Sequence, residues 1–81
     1  MVERFLKLYE AYHYIKPSLR MELTNNNNED WWLTVYHADS ETVIFDENDT
    51  SLHLLCARAY IALVEWASNF KNLEDVEANL K

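Results

Sequence analysis

Glycine is absent from this 81-residue chain, and proline and cysteine occur once each, at Pro17 and Cys56. Loops that cradle phosphates and the tight turns that expose a catalytic serine both depend on glycine, so neither motif is expected. A single cysteine cannot form a disulfide within the chain, and the apolar neighbours of Cys56 favour a buried core position. These features are typical of a protein of the reducing cytoplasm.

Lysine and arginine are missing from residues 21–50, although this segment carries eight aspartates and glutamates. The formal net charge of the whole chain is -7. A surface that contacts nucleic acid needs the opposite sign, so direct binding to DNA or RNA is disfavoured. Two interpretations remain open. The carboxylates keep a small hydrophobic protein soluble, or they present a negative surface to a basic cleft of another protein.

Targeting and membrane segments are also not expected. No basic segment followed by an apolar stretch and a cleavage site opens the sequence, so no signal peptide is expected. Residues 52–70 are rich in apolar side chains, but His53 and Arg58 interrupt a stretch that is too short for the roughly 20 apolar residues of a membrane span. At this length we predict one domain, residues 1–81, whose stability is marginal unless association adds to it.

The first half of the chain changes from a helical to an alternating pattern. Apolar side chains at helical spacing predict a helix over residues 2–16, which Pro17 ends. Strict alternation then predicts three strands, at residues 18–23, 31–37 and 41–45. The asparagine-rich residues 25–30 are predicted to connect the first two strands as a hairpin loop. Short connections favour an α+β fold in which helices cover a three-stranded antiparallel sheet.

A long apolar helix is predicted over residues 50–70. One face is a core stripe, and the opposite side is also apolar at Ala57, Ile61 and Val64. Since 81 residues cannot surround a helix completely, we expect these three residues to form a homodimer contact. The alternative is that a short helix predicted over residues 72–80 folds back and covers this face.

The second strand carries large side chains on both faces. If Leu33 and Val35 pack on the helices, the opposite face exposes Trp32 and Tyr36. An exposed aromatic pair is a common anchor for a protein partner. The alternative is that Trp32 only covers the sheet or packs on a loop.

A tryptophan-bearing strand followed by a turn and a patterned helix also suggests a family. Trp31 and Trp32 precede a helix whose opening is spaced like T-x-L-x-x-I-C-R-A, at Thr50, Leu52, Leu55, Cys56, Arg58 and Ala59. The arginine stands one place late, and the glycines usual in that family are missing. In this order of features, residues 18–62 resemble short phage and prophage proteins of the phage ABA sandwich type. The resemblance implies a phage origin and an alpha-beta-alpha layering, and it implies no particular activity.

Candidate catalytic residues do not form a recognisable arrangement. Cys56, Ser51 and the three histidines are scattered, so we expect neither an enzyme nor a cofactor. His37 and Asp39 flank one residue and could share a metal with His53 or Asp46, so a metal-dependent enzyme that uses His37 and His53 is kept as a third alternative, although no metal site is predicted.

We therefore expect a small, acidic, non-enzymatic protein that binds and inhibits or modulates a basic host protein, one that itself binds nucleic acid. Phage proteins of this size and charge are often host-directed inhibitors, with anti-CRISPR proteins and DNA mimics among them, and they act in the host cytoplasm. The predicted partner-binding residues are two aromatic anchors and seven carboxylates: Trp32, Tyr36, Glu29, Asp30, Asp39, Glu41, Asp46, Glu47 and Asp49. The alternative function is a self-associating assembly protein without such a target.

Overall fold

The structure is a computed structural model that describes residues 1–26 and 29–80. Its elements follow the order α1 (Val2–Ile15), β1 (Leu19–Asn26), β2 (Asp30–His37), β3 (Thr42–Asp49), α2 (Leu52–Ala67) and α3 (Val76–Asn79). An N-terminal helix, a three-stranded antiparallel sheet and then further helices make this an α+β protein, as the alternation of patterns predicted.

The three strands form a meander in the order β1-β2-β3. Leu19 lies opposite His37 in the first pair, and Trp31 lies opposite Asp49 in the second. The second pair contains a bulge, because Val35 opposes Phe45 whereas Tyr36 opposes Val43, which leaves Ile44 as the extra residue. The central strand is therefore paired on both sides.

β1 and β3 are longer than the pattern of apolar residues predicted. β1 continues to Asn26 and β3 to Asp49, because backbone hydrogen bonds of a ladder do not require apolar side chains. Asn25, Asn26 and Asp30, which were predicted to lie in a loop, are thus strand residues. The remaining part of that predicted loop includes residues 27 and 28, which lie outside the described residues.

The core lies between one face of the sheet and the helices. α1 contributes residues at helical spacing, and every second residue of β2 from Leu33 points toward the helices. The buried apolar side chains are Phe5, Leu8, Tyr12, Leu19, Leu33, Val35, Phe45, Leu55, Cys56, Ala59, Leu63, Ala67 and Leu73. The side chains of β2 that alternate with these point away from the helices.

α2 begins at Leu52 and ends at Ala67, so the long apolar helix predicted over residues 50–70 is not supported. Ser51 caps its first turn, since its hydroxyl accepts a hydrogen bond of 3.2 Å from the Leu54 N–H. At the other end, the Ser68 hydroxyl donates to the Glu65 carbonyl at 2.6 Å, and the Asn69 amide donates to the Trp66 carbonyl at 3.1 Å. These side chains satisfy carbonyls that a longer helix would have used. No helix in residues 1–26 and 29–80 is long and apolar enough to cross a membrane.

The C-terminal helix is also shorter than predicted, because residues 71–75 form turns and only Val76–Asn79 are helical. Leu73 is fully buried, and the Tyr60 hydroxyl donates a hydrogen bond of 3.0 Å to Glu77. The segment predicted as a helix over residues 72–80 therefore folds back on its own chain.

Candidate partner-binding surfaces

The face of the sheet turned away from the helices is the first candidate. Trp32, Thr34 and Tyr36 lie on it, because Leu33, Val35 and His37 are buried on the opposite face. The strand register adds the flanking residues. We call this set the outer sheet surface: Arg20, Glu22, Thr24, Trp32, Thr34, Tyr36, Val43, Asp46 and Asn48.

Trp32 stands on the central strand of this surface and is 48% exposed. Its indole N–H donates to Asp46 Oδ1 at 2.5 Å, and the Thr34 hydroxyl donates to the same oxygen at 3.0 Å. One carboxylate of β3 therefore holds the indole in a fixed orientation. Tyr36 is half-buried, whereas Val43 opposite it is 63% exposed. The apolar part of the surface thus combines Trp32 with Val43 as well as with the predicted Tyr36.

Glu47 and Asp49 lie on the other face of β3, apart from Asp46. Arg58 of α2 reaches both, with its Nε 3.0 Å from Glu47 Oε1 and one Nη 3.1 Å from Asp49 Oδ2. The backbone N–H of Ser51, followed by Arg58, lowers the pKa of Asp49, and Asp49 in turn raises the pKa of Arg58. The charge of Arg58 cancels one of the two negative charges, so the three side chains together carry a net charge of about -1.

The other four predicted carboxylates lie at opposite ends of the sheet. Glu29 and Asp30 are at the β1–β2 connection, whereas Asp39 and Glu41 are in the turn between β2 and β3. The seven steps of β2 that separate these ends span roughly 23 Å at about 3.3 Å per residue. The seven predicted carboxylates therefore occupy separate places, and Asp46 is the one whose hydrogen bond to Trp32 the structure shows.

The predicted self-association residues lie on the side of α2 that faces away from the sheet. Ala57 and Val64 are half-buried, while Ile61 is 59% exposed and Leu54 is 52% exposed. A shallow groove of about 300 Å³ is lined by Tyr60, Ile61, Val64, Glu65 and Glu77. The helix face is therefore only partly covered by the C-terminal segment.

Sequence reasoning missed a cluster formed by three helices. The Arg4 guanidinium lies 5.6 Å from the centre of the Tyr60 ring, and the Tyr60 hydroxyl bonds to Glu77. Burial and this carboxylate raise the pKa of Tyr60. A cavity of about 370 Å³ beside the cluster is lined by Arg4, Lys7, Tyr60 and Leu80. No sequence spacing indicates this cluster, because its members come from α1, α2 and α3.

His37 is the buried polar residue of the sheet. Its Nδ1 lies 2.7 Å from the Ser40 hydroxyl, which lies 2.9 Å from the Thr42 hydroxyl, and its ring packs on Trp66 and Phe70. Cys56 is buried, and burial raises its thiol pKa. Among residues 1–26 and 29–80, no group of three or more His, Cys, Asp or Glu side chains is placed to hold a metal ion. The metal-dependent alternative therefore has no ligand set in that part of the chain.

No family model matches the chain, and neither a curated protein nor a solved structure shows significant similarity to it. The resemblance to phage ABA sandwich proteins stays a prediction, but the alpha-beta-alpha layering that it implies is not found among the described residues, whose helices pack on one face of the sheet. Function is therefore inferred from the chemistry of the surfaces themselves.

Proposed function

We propose that the protein acts by binding, and that it inhibits or modulates a basic, nucleic-acid-binding protein in the cytoplasm of a host cell. The contact is made by the outer sheet surface. The observation that carries this proposal is Trp32, a half-exposed indole held in place by Asp46 at the centre of a three-stranded sheet.

Trp32 has the physical properties of an interface anchor. A large aromatic side chain gains much free energy when a partner covers it, and tryptophan is among the residues that dominate binding energy at interfaces. The hydrogen bond to Asp46 restricts the indole before binding, so less side-chain entropy is lost when the partner arrives. The indole N–H already has an acceptor, so covering the ring leaves no buried donor unpaired.

The charge around this anchor indicates the class of partner. Glu22 and Asp46 lie on the outer sheet surface, where Arg20 is the one basic residue of the defined set. The exposed Glu29, Asp39 and Glu41 stand at the two ends of the sheet. A basic protein would be attracted to this side, and its association would be fast and sensitive to salt. An anti-CRISPR or DNA-mimic inhibitor encoded by a phage would use such a surface against a nucleic-acid-binding cleft.

A pull-down from bacterial lysate tests the proposal with two matched variants. Trp32→Ala removes the anchor, and Leu54→Ala removes a similarly exposed apolar side chain from α2. We expect one basic protein to be retained at low salt by the wild type and by Leu54→Ala, released at high salt, and lost from Trp32→Ala. Equal retention of the same protein by both variants would contradict the proposed surface.

The exposure of Ile61 favours a second candidate function. In this case the protein is a structural or assembly protein whose main contact is with itself, through Ala57, Ile61 and Val64. Ile61→Glu places a charge on that face without disturbing the core, and Val43→Glu is the matched control on the outer sheet surface. If light scattering shows an oligomer that Ile61→Glu alone disrupts, self-assembly through α2 is supported. A wild-type mass that corresponds to one chain would exclude it.

A further inference from the structure

The two edges of the sheet differ in how well they are protected from pairing with another strand. In the described part of the chain β2 is central, so β1 and β3 each have one edge without a neighbouring strand. The β3 edge is interrupted by the bulge at Ile44. β1 runs for eight residues, Leu19–Asn26, with no shift in register against β2 and no proline or lysine. Proline, bulges and charged side chains, lysine above all, are the usual means of keeping a strand edge from pairing, and of these β1 carries Arg20 and Glu22.

The hydrogen bonds at the start of β1 show which backbone groups face this edge. The Ala38 N–H donates to the Ser18 carbonyl at 2.9 Å, so the even-numbered residues of β1 are those that bond to β2. The backbone N–H and C=O groups of Leu19 point away from β2. Its N–H donates to the Lys16 carbonyl at 3.0 Å, and its own carbonyl accepts from the Tyr9 hydroxyl at 3.1 Å. The odd-numbered residues therefore face outward.

The backbone N–H and C=O groups of Leu19 have hydrogen-bond partners in their own chain, but those of the next three outward-facing residues have none among residues 1–26 and 29–80. Met21, Leu23 and Asn25 present their N–H and C=O groups to the open edge, where no other described residue bonds to them. Leu23 is 38% exposed, although it lies on the helix-facing side of the sheet. The helices therefore leave the middle of this edge partly uncovered, with an apolar side chain at its centre.

We propose that residues 21–25 of β1 pair antiparallel with the same residues of a second copy of this chain, about a two-fold axis through Leu23. Leu23 of one copy then lies opposite Leu23 of the other, and Met21 lies opposite Asn25. Each such pair exchanges two hydrogen bonds, so the three pairs make roughly six. The result is one continuous six-stranded sheet.

This register is favoured by charge and by occupied groups over the two registers whose axis is shifted toward Leu19. An axis through Glu22 would place two glutamates directly opposite each other, which is unfavourable. An axis through Met21 would require the backbone groups of Leu19, which Lys16 and Tyr9 already occupy. With the axis through Leu23, Glu22 faces Thr24, and the partly exposed leucines contact each other. The edge is thus complementary to itself, whereas nothing on it selects a particular foreign peptide.

Pairing of this kind would also place both outer sheet surfaces on the same face of the extended sheet. Three strand spacings separate the two central strands, so the two Trp32 side chains would lie roughly 14 Å apart across the strands. The inference does not depend on the proposed partner, because it concerns backbone groups of β1 alone.

Hydrogen exchange measured by NMR on the purified protein tests the pairing residue by residue. The amides of Glu22 and Thr24 bond to β2 and serve as internal controls. In a concentrated sample we expect the amides of Met21, Leu23 and Asn25 to exchange at least about tenfold more slowly than in a dilute one, while the controls do not change. Rapid exchange of these three amides at every concentration would overturn the proposal.

A pair of proline variants provides the second test, with molecular mass measured by light scattering. Leu23→Pro removes an N–H that points outward, so we expect a folded monomer. Thr24→Pro removes an N–H of the β1–β2 ladder and should destabilise the sheet instead. Leu23→Lys leaves the backbone intact and places two charges together on the axis, so it should also give a monomer. A dimer that survives in Leu23→Lys, or one that only Ile61→Glu disrupts, would overturn the proposal.

Discussion

Trp32 and Asp46 form the contact on which the outer sheet surface depends. Asp46 Oδ1 accepts hydrogen bonds from the indole N–H and from the Thr34 hydroxyl. To hold the indole, residue 46 must accept a hydrogen bond but need not carry a negative charge. Substitutions at this one residue can therefore separate the orientation of Trp32 from the charge of the surface.

Substitution of Asp46 should separate these two roles. Asp46→Asn keeps an oxygen acceptor and should hold the indole, whereas Asp46→Ala should release it. We expect the indole N–H of Trp32 to exchange with solvent at similar rates in the wild type and in Asp46→Asn, and several-fold faster in Asp46→Ala. NMR of the indole N–H signals measures this without any partner. Equal exchange in all three proteins would show that Asp46 does not orient Trp32.

Asp49 should make the stability of the protein depend on pH. The Ser51 N–H and Arg58 lower its pKa in the folded state below the ordinary value of 3.8. A lowered carboxyl pKa contributes stability that is present above 3.8 and is lost as the pH falls through the folded-state value. We therefore expect Asp49→Asn to unfold at lower urea concentration than the wild type near neutral pH. The difference should shrink below pH 3.8, and a constant difference across this range would contradict the assignment.

At the scale of elements, α2 carries both the core and the exposed apolar face. Its buried side is formed by Leu55, Cys56, Ala59, Leu63 and Ala67, whereas Leu54 and Ile61 face solvent. Spacing of three and four residues predicts the buried side, because side chains at this spacing share one face of a helix. The helix ends are not predictable in the same way, since they depend on a hydrogen bond that the Ser51 side chain accepts and on those that Ser68 and Asn69 donate.

Two substitutions in α2 should differ sharply in their effect on folding. Leu63→Ala leaves a cavity in the core and should lower the free energy of unfolding by about 2 to 5 kcal/mol. Ile61→Ala removes an exposed side chain and should change it by less than about 0.5 kcal/mol. Urea unfolding followed by circular dichroism measures both. A large loss in Ile61→Ala would mean that this face is covered, as a self-association through α2 requires.

In the strands, too, the alternation of apolar residues predicts some features of the structure and not others. Alternation places Leu33 and Val35 inside and Trp32 and Thr34 outside, as the structure has them. The alternation of apolar residues stops before the backbone hydrogen bonds between the strands do. The apolar pattern therefore predicts a β1 and a β3 that end several residues too soon. The separation of Asp46 from Glu47 and Asp49 follows from the same alternation. Their pairing with Arg58 does not, because it depends on how α2 packs across the sheet.

At the scale of the whole molecule, the acidic segment is divided among several places. Arg58 pairs with two carboxylates, and four others stand at opposite ends of the sheet. The proposed partner therefore experiences a broad field around Trp32 rather than a single acidic patch. Such a field should affect the rate of association more than the lifetime of the complex.

Charge reversal at one end of the sheet tests this field. Asp39→Lys combined with Glu41→Lys should lower the association rate at low salt by about tenfold and flatten its dependence on salt. Glu10→Lys combined with Glu74→Lys changes the net charge equally on the helical side and serves as the control. Stopped-flow or biosensor kinetics with the captured protein measure both. If the two double variants slow association equally, only the net charge matters.

The most direct test of binding through the outer sheet surface is the affinity of the purified captured protein for the wild type, Trp32→Ala and Leu54→Ala, measured by titration calorimetry at two salt concentrations. We predict that Trp32→Ala weakens binding about 30-fold, which corresponds to roughly 2 kcal/mol, and that the loss persists at high salt because it reflects apolar contact. Leu54→Ala should bind like the wild type. Wild-type affinity in Trp32→Ala would contradict the proposed surface, whichever protein had been captured.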